Sequence, residues 1–212
     1  MAELFDSLSQ LLDGQTGQIS RRIGADETQT RSAMQAAIPA LLAALSQDAA
    51  RGPGLRQALE QDHDGSIIDQ LNDYLAGSAQ LSPRTTNGAG ILDHVLGDGQ
   101  TDMAQALSAK SGLDLGTIMK LLPLLAPILM GMLGKRGRAG DGGGGSGGFS
   151  FDDIGDLLNR EKQDASARDP DIGDVLDSFR KKPSGSSTAS SRPKGTSGGI
   201  GDLLDRLLGR KR

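Results

Sequence analysis

A chain of 212 residues without a cysteine excludes disulfides, thiolate metal sites and cysteine nucleophiles, and its length suits one ordinary domain plus additional sequence. Residues 1–134 carry 8 Lys and Arg against 15 Asp and Glu, whereas residues 135–212 carry 15 against 12; an acidic N-terminal part argues against a surface built for nucleic-acid phosphates. Two valines, one tyrosine and no tryptophan among abundant Leu, Ala, Gln and Asp favour helices and caps over strands, so the expected fold class is all-α, a multi-helical bundle of short helices.

The start, Met1-Ala2-Glu3-Leu4-Phe5-Asp6, is acidic and amphipathic, unlike the basic opening of a secretory signal, and the expected location is the cytoplasm. Leu4, Phe5, Leu8, Leu11 and Leu12 recur at helical spacing and define a helix over residues 2–13, stopped at Gly14. Ile19 and Ile23 mark a short second helix ending at Gly24. Asp26 caps a third, with Gln29 three positions on completing a capping box, and this helix turns Met34, Ala37, Ile38, Leu41 and Leu45 inward. Past Gly52-Pro53-Gly54, Leu55, Ala58 and Leu59 form a short helix. Ser66 is expected to cap a single helix bearing Ile67, Ile68, Leu71, Tyr74 and Leu75, closed by Gly77. A polar loop then reaches Gly90, and Ile91, Leu92, Val95 and Leu96 form a helix ending at Gly97. Met103, Ala104 and Leu107 lie on the next, ending near Gly112, and Asp114 opens the most apolar stretch, residues 115–133.

Residues 19–26, leading into a helix with Pro39, are echoed by residues 103–114, leading into a helix with Pro123. The Gly-to-Pro separations, 15 and 11 residues, differ by about one helical turn. Two related helical hairpins would produce this pattern, as would chance recurrence of a common helix–Gly–Asp–helix connection. Pro39, Pro123 and Pro127 each remove a helical N–H and crowd a carbonyl one turn back, which is expected to kink a helix or start a new one.

From Lys135 the composition changes. Half of residues 135–150 are glycine, and residues 181–199 are rich in Ser, Gly, Lys and Pro, so neither segment can bury enough apolar surface to offset the entropy of ordering. Residues 135–212 are therefore expected to be a disordered tail following a helical domain of residues 1–134. Within the tail, Ile154-Gly155-Asp156-Leu157-Leu158-Asn159 recurs as Ile172-Gly173-Asp174-Val175-Leu176-Asp177 and, over residues 200–208, as Ile200-Gly201-Asp202-Leu203-Leu204-Asp205 with Leu207 and Leu208 beyond it. Spacings of 18 and 28 residues exclude a solenoid. Each unit is one or two turns of amphipathic helix, too short to persist alone in water.

Four segments carry a family resemblance: His63-Asp64-Gly65-Ser66; Gly90-Ile91-Leu92-Asp93-His94-Val95-Leu96-Gly97; Ser111-Gly112-Leu113-Asp114; and Leu121-Leu122-Pro123-Leu124-Leu125-Ala126-Pro127-Ile128-Leu129-Met130-Gly131. Over residues 1–134 the chain resembles the YidB-like family of uncharacterised bacterial proteins, a domain of unknown function. That resemblance implies a bacterial, helical, intracellular protein with no assigned activity and no catalytic residue to transfer; it does not extend to the tail.

Asp62-His63-Asp64 together with His94 has the residue types of a metal site but no paired ligand spacing on one helix; Asp64 and Ser66 serve more simply as caps. Residues 19–38 imitate a helix-turn-helix, yet the second helix offers Glu27, Thr28, Gln29 and Thr30 with Arg31 as its cation, poor equipment for phosphates. Residues 115–133 contain one charge, Lys120, and are followed by Lys135-Arg136-Gly137-Arg138, which fits a membrane span with a cytoplasmic flank, a helix buried on all sides or an oligomer interface. The expectation is a non-enzymatic protein–protein interaction module without cofactor, metal or catalytic residue, whose tail helices lay leucine anchors into a groove on the domain or on a protein partner, including a second copy. The anchors are Ile200, Leu203, Leu204, Leu207 and Leu208, with weaker counterparts around Leu157 and Leu176. One alternative is a peripheral membrane or envelope-associated protein acting through residues 115–133 and 200–212. The other is a DNA-binding regulator acting through residues 19–38.

Overall fold

The fold is that of a computed structural model, which describes residues 3–141 and, beyond them, 155, 156, 158–160, 163 and 167, all within one unit, Met1–Lys181. The described residues form helices joined by turns and short loops, with no strand among them. In chain order the helices are α1 (Glu3–Asp13), α2 (Thr16–Ile23), α3 (Glu27–Arg51), α4 (Gly54–Gln61), α5 (Ser66–Asp69), α6 (Leu71–Ala76), α7 (Pro83–Thr86), α8 (Gly88–Leu96), α9 (Gln100–Ser111) and α10 (Leu115–Asp141), with a 3₁₀ turn at Gly97–Gly99. The all-α expectation is borne out.

Two long helices, α3 and α10, form the centre. Helix α9 packs on both; α1, α2 and α4 lie around α3, and α5, α7 and α8 around α10. The centre of α3 is buried at eleven consecutive positions, Ala36 to Ser46, which removes the distinction between an inner and an outer face. Helix α10 is likewise enclosed: Ile118, Leu121, Leu122, Leu125, Ile128 and Leu133 are all fully buried. The stretch Leu115–Arg138 is long enough to span a membrane and contains an 18-residue window of mean hydropathy 1.7, but 67 % of that window is buried inside the protein. Exposed large apolar side chains among the described residues are confined to its first turns, Leu115 and Met119.

The two elbows anticipated by the sequence share local geometry. Gly24 (φ 77°) and Gly112 (φ 74°) end α2 and α9 in the left-handed conformation, which glycine adopts without Cβ strain. Asp26 then accepts hydrogen bonds from the Thr28 and Gln29 amides at 2.8 and 3.2 Å, and Asp114 accepts one from the Thr117 amide at 3.0 Å. The Thr117 hydroxyl also donates to Asp114; that bond first and the Thr117 amide second hold the Asp114 carboxyl below its ordinary value, as the Gln29 and Thr28 amides do for Asp26. Gln29 does not close the anticipated capping box. Its side chain instead donates to the Gly112 carbonyl at 3.3 Å, tying the first elbow to the second.

The prolines do not interrupt their helices: α3 runs through Pro39, and α10 through Pro123 and Pro127. Pro127 leaves the Pro123 carbonyl without its helical donor, and Gly88 of α8 approaches so closely that a Cβ there would overlap that oxygen. The hydrogen occupying the Cβ direction points at it, a weak Cα–H···O contact. Gly134 makes the same approach to the His63 carbonyl, and Gly131 receives Ile67.

Three boundaries differ from those expected. The helix foreseen from Ser66 is two helices, broken at Gln70 (φ −110°, ψ 26°). The break lets Ile67 pack on α10 while α6 packs on α2. Ser66 is not the cap; Asp64 Oδ1 accepts from its amide at 2.9 Å. The polar loop contains α7, with Ser82 capping and Pro83 at the first helical position, and α8 already begins at Gly88 under the Asn87 cap. Finally, α10 runs beyond residue 134 into the segment assigned to the tail, held where Lys135 pairs with Asp69 and Arg138 Nη2 donates to the Glu60 carbonyl at 2.8 Å. Most of the segment expected to be disordered lies outside the described residues.

Candidate functional site

The site most informative for function lies where the first tail repeat meets α3. Gly155, Asp156 and residues 158–160 are helical. Leu158 is 0 % exposed and belongs to the same apolar core as the helices of residues 3–141, whereas Asp156, Asn159 and Arg160 are exposed. Beside it, the buried Ser46 hydroxyl donates to Asn159 Oδ1 at 2.8 Å. A serine inside an apolar helix ordinarily bonds back to its own carbonyl ladder; this one reaches across 113 positions of sequence.

The anchors nominated from the sequence, Leu157, Leu176, Ile200, Leu203, Leu204, Leu207 and Leu208, all lie outside the described residues. Leu158, next to Leu157, went unnominated. A signal for it exists: the fifth position is leucine in all three repeats, while the fourth is Leu, Val and Leu. Ser46 also went unnoticed, although it directly follows Leu45, a position expected to face inward.

Both histidines line one cavity of about 260 Å³ with Asp48, Asp62, Arg84 and Met130. Asp48, whose side chain is 7 % exposed, lies 3.8 Å from Arg51 Nη1 and 3.7 Å from His94 Nε2, within ion-pair range but beyond hydrogen-bond length. His63 is 3 % exposed and its Nδ1 has no hydrogen-bond partner among the described residues. Burial pushes its pKa below the ordinary value, against the opposing pull of Asp62 and Asp64. Among the described residues no three His, Asp or Glu side chains are placed to hold a metal ion. A histidine held neutral by burial contributes stability that is present above pH 6.5 and lost as pH falls through its depressed folded value. The urea midpoint of the full chain is therefore expected to fall between pH 7 and pH 5, and to fall measurably less in His63→Asn. Equal slopes for the two proteins would show that His63 is not buried neutral.

A second cavity, about 490 Å³, is lined by Arg22, Tyr74, Gly88, Lys120 and Pro123. Arg22 is engaged in structure: Nη1 donates to the Tyr74 and Leu75 carbonyls, both at 2.7 Å, and its guanidinium lies 5.7 Å from the Tyr74 ring centre. Tyr74 in turn donates to the Leu124 carbonyl at 3.3 Å, and burial pushes its pKa up to about 12.

The helix-turn-helix imitation occupies α2, Gly24 and α3. Its cations are likewise engaged, Arg21 with the Gly17 carbonyl at 2.8 Å and Arg31 with Asp13 at 3.4 Å. Only the first turns of α3 and its last turn are accessible to a groove, because Ala36 to Ser46 is enclosed.

No curated protein and no solved structure matches the chain. The YidB-like resemblance is consistent with the family that does match. The model of DUF937, bacterial protein of unknown function, covers residues 6–136, more than half of the chain, and the chain belongs to this bacterial family.

Proposed function

We propose that this protein is a non-enzymatic cytoplasmic interaction module in which the helical domain is the receptor and the short amphipathic repeats of the tail are its ligands. The observation that carries this reading is Leu158, which joins the core of the domain from within the first repeat while Ser46 holds Asn159 beside it. Helix-in-groove recognition works in this way, with an apolar anchor for affinity and a flanking polar bond for register. Burying one leucine contributes about 1.5–3 kcal/mol and a neutral hydrogen bond about 0.5–1.5 kcal/mol. After the cost of ordering a short helix, docking is weak and reversible, as a regulated contact requires.

Hydrogen exchange of the full chain tests the proposal. Amides of residues 155–160 are expected to exchange measurably more slowly than in an unstructured chain, in proportion to the time the first repeat is docked. Leu158→Asp should abolish that protection and Leu176→Asp should leave it intact. Unprotected amides in the wild-type chain would overturn the reading. The envelope-associated alternative keeps one supporting observation, the length and hydropathy of α10. Salt-resistant pelleting of the full chain with phospholipid vesicles would favour it instead.

A further inference from the structure

We infer that the site on α3 beside Ser46 is a common receptor for all three Ile-Gly-Asp repeats, which occupy it one at a time; this rests on the docking function proposed above. The two repeat residues shown to meet the domain are Leu158, in its core, and Asn159, on Ser46. Their counterparts are Leu176 with Asp177 and Leu204 with Asp205. The leucine is identical in each, so the apolar anchor is the same. At the next position asparagine and aspartate place an Oδ1 acceptor at the same reach, and the Ser46 hydroxyl, which rotates freely, donates to either. A carboxylate makes this bond charge-assisted and stronger. Because Asn159 is exposed, an aspartate in its place stays solvated and incurs no large desolvation penalty.

The second position points the same way. Gly155 recurs as Gly173 and Gly201, yet no atom of the described residues lies within 4 Å of a Cβ built on it, so crowding against them does not demand glycine. Glycine weakens an isolated helix, which keeps an undocked repeat from persisting as a helix and favours exchange over permanent capture. Tethering places every repeat at a local concentration on the order of millimolar. The third repeat also carries Arg206, Arg210, Lys211 and Arg212 towards a domain with 15 acidic against 8 basic residues, so it competes with electrostatic attraction added.

Thermal melting of four full-length chains tests the inference: wild type, Leu158→Asp, the double Leu176→Asp with Leu204→Asp, and the triple. With a shared receptor the first two variants melt within about 2 °C of wild type because another repeat refills the site. The triple melts roughly 6 °C lower or more, a loss far beyond the sum of the partial ones. If Leu158→Asp alone falls as far as the triple, the first repeat is the sole ligand; the docking function then stands and the shared receptor is overturned. If the triple melts with wild type, both fall. A triple already unfolded at room temperature supports sharing so long as the two partial variants melt near wild type. Where the triple folds, a peptide of residues 198–212 at about 1 mM should raise its melting temperature, and the Leu204→Asp peptide should not; equal effects overturn the inference.

Discussion

Gly134→Ala is expected to be among the most damaging single substitutions in the chain, lowering stability by about 3 kcal/mol, the upper range of overpacking, and the melting temperature by roughly 10 °C. The reason is that the added methyl meets the His63 backbone carbonyl, and a backbone atom cannot rotate aside as a side chain can. Gly88→Ala meets the Pro123 carbonyl and should behave similarly, with the added loss of the Cα–H contact to an oxygen that Pro127 leaves without a helical donor. Gly14→Ala is the control. Only the Leu11 carbonyl lies near its Cβ direction, at 3.7 Å, so melting should move by no more than a few degrees. A Gly134→Ala chain melting within 1 °C of wild type would show that α10 does not approach the His63 segment this closely.

Leu125→Ala is expected to cost about 2–5 kcal/mol in urea unfolding of the full chain in detergent-free buffer. Leu115→Ala and Met119→Ala should each stay within about 0.5 kcal/mol. Leu125 is fully buried, whereas Leu115 and Met119 are 39 % and 37 % exposed on the same helix. The contrast separates the two readings of α10. A helix enclosed by protein loses packing at inward positions alone, whereas one surrounded by lipid shows no such split and keeps the chain out of detergent-free solution. Equal costs at the three positions would remove the account of α10 as a core helix.

Much of the fold was legible because its signals are local. The stripe Leu4, Leu8 and Leu12, the Asp26 and Asp114 caps, and the glycines at 24 and 112 act within one or two turns of chain. The helix-breaking tendency of proline is equally local, but α3 and α10 run through theirs because packing on both sides outweighs the lost bonds. Gln29 had the spacing of a capping box, and a carbonyl 83 residues away took its amide instead.

The amino-acid sequence by itself therefore determined the helical class, most helix starts and stops, and the existence of three amphipathic repeats, since all of these follow from neighbours within about four residues. Only the tertiary structure decided what those helices face. An apolar stretch such as residues 115–133 has the same hydropathy in a protein core and in a bilayer, and it is the enclosing helices that make α10 a core element. In so short a repeat no periodicity says whether Leu158 is an anchor. Contact with a distant segment of the chain does so, by burying Leu158 and setting Asn159 on Ser46.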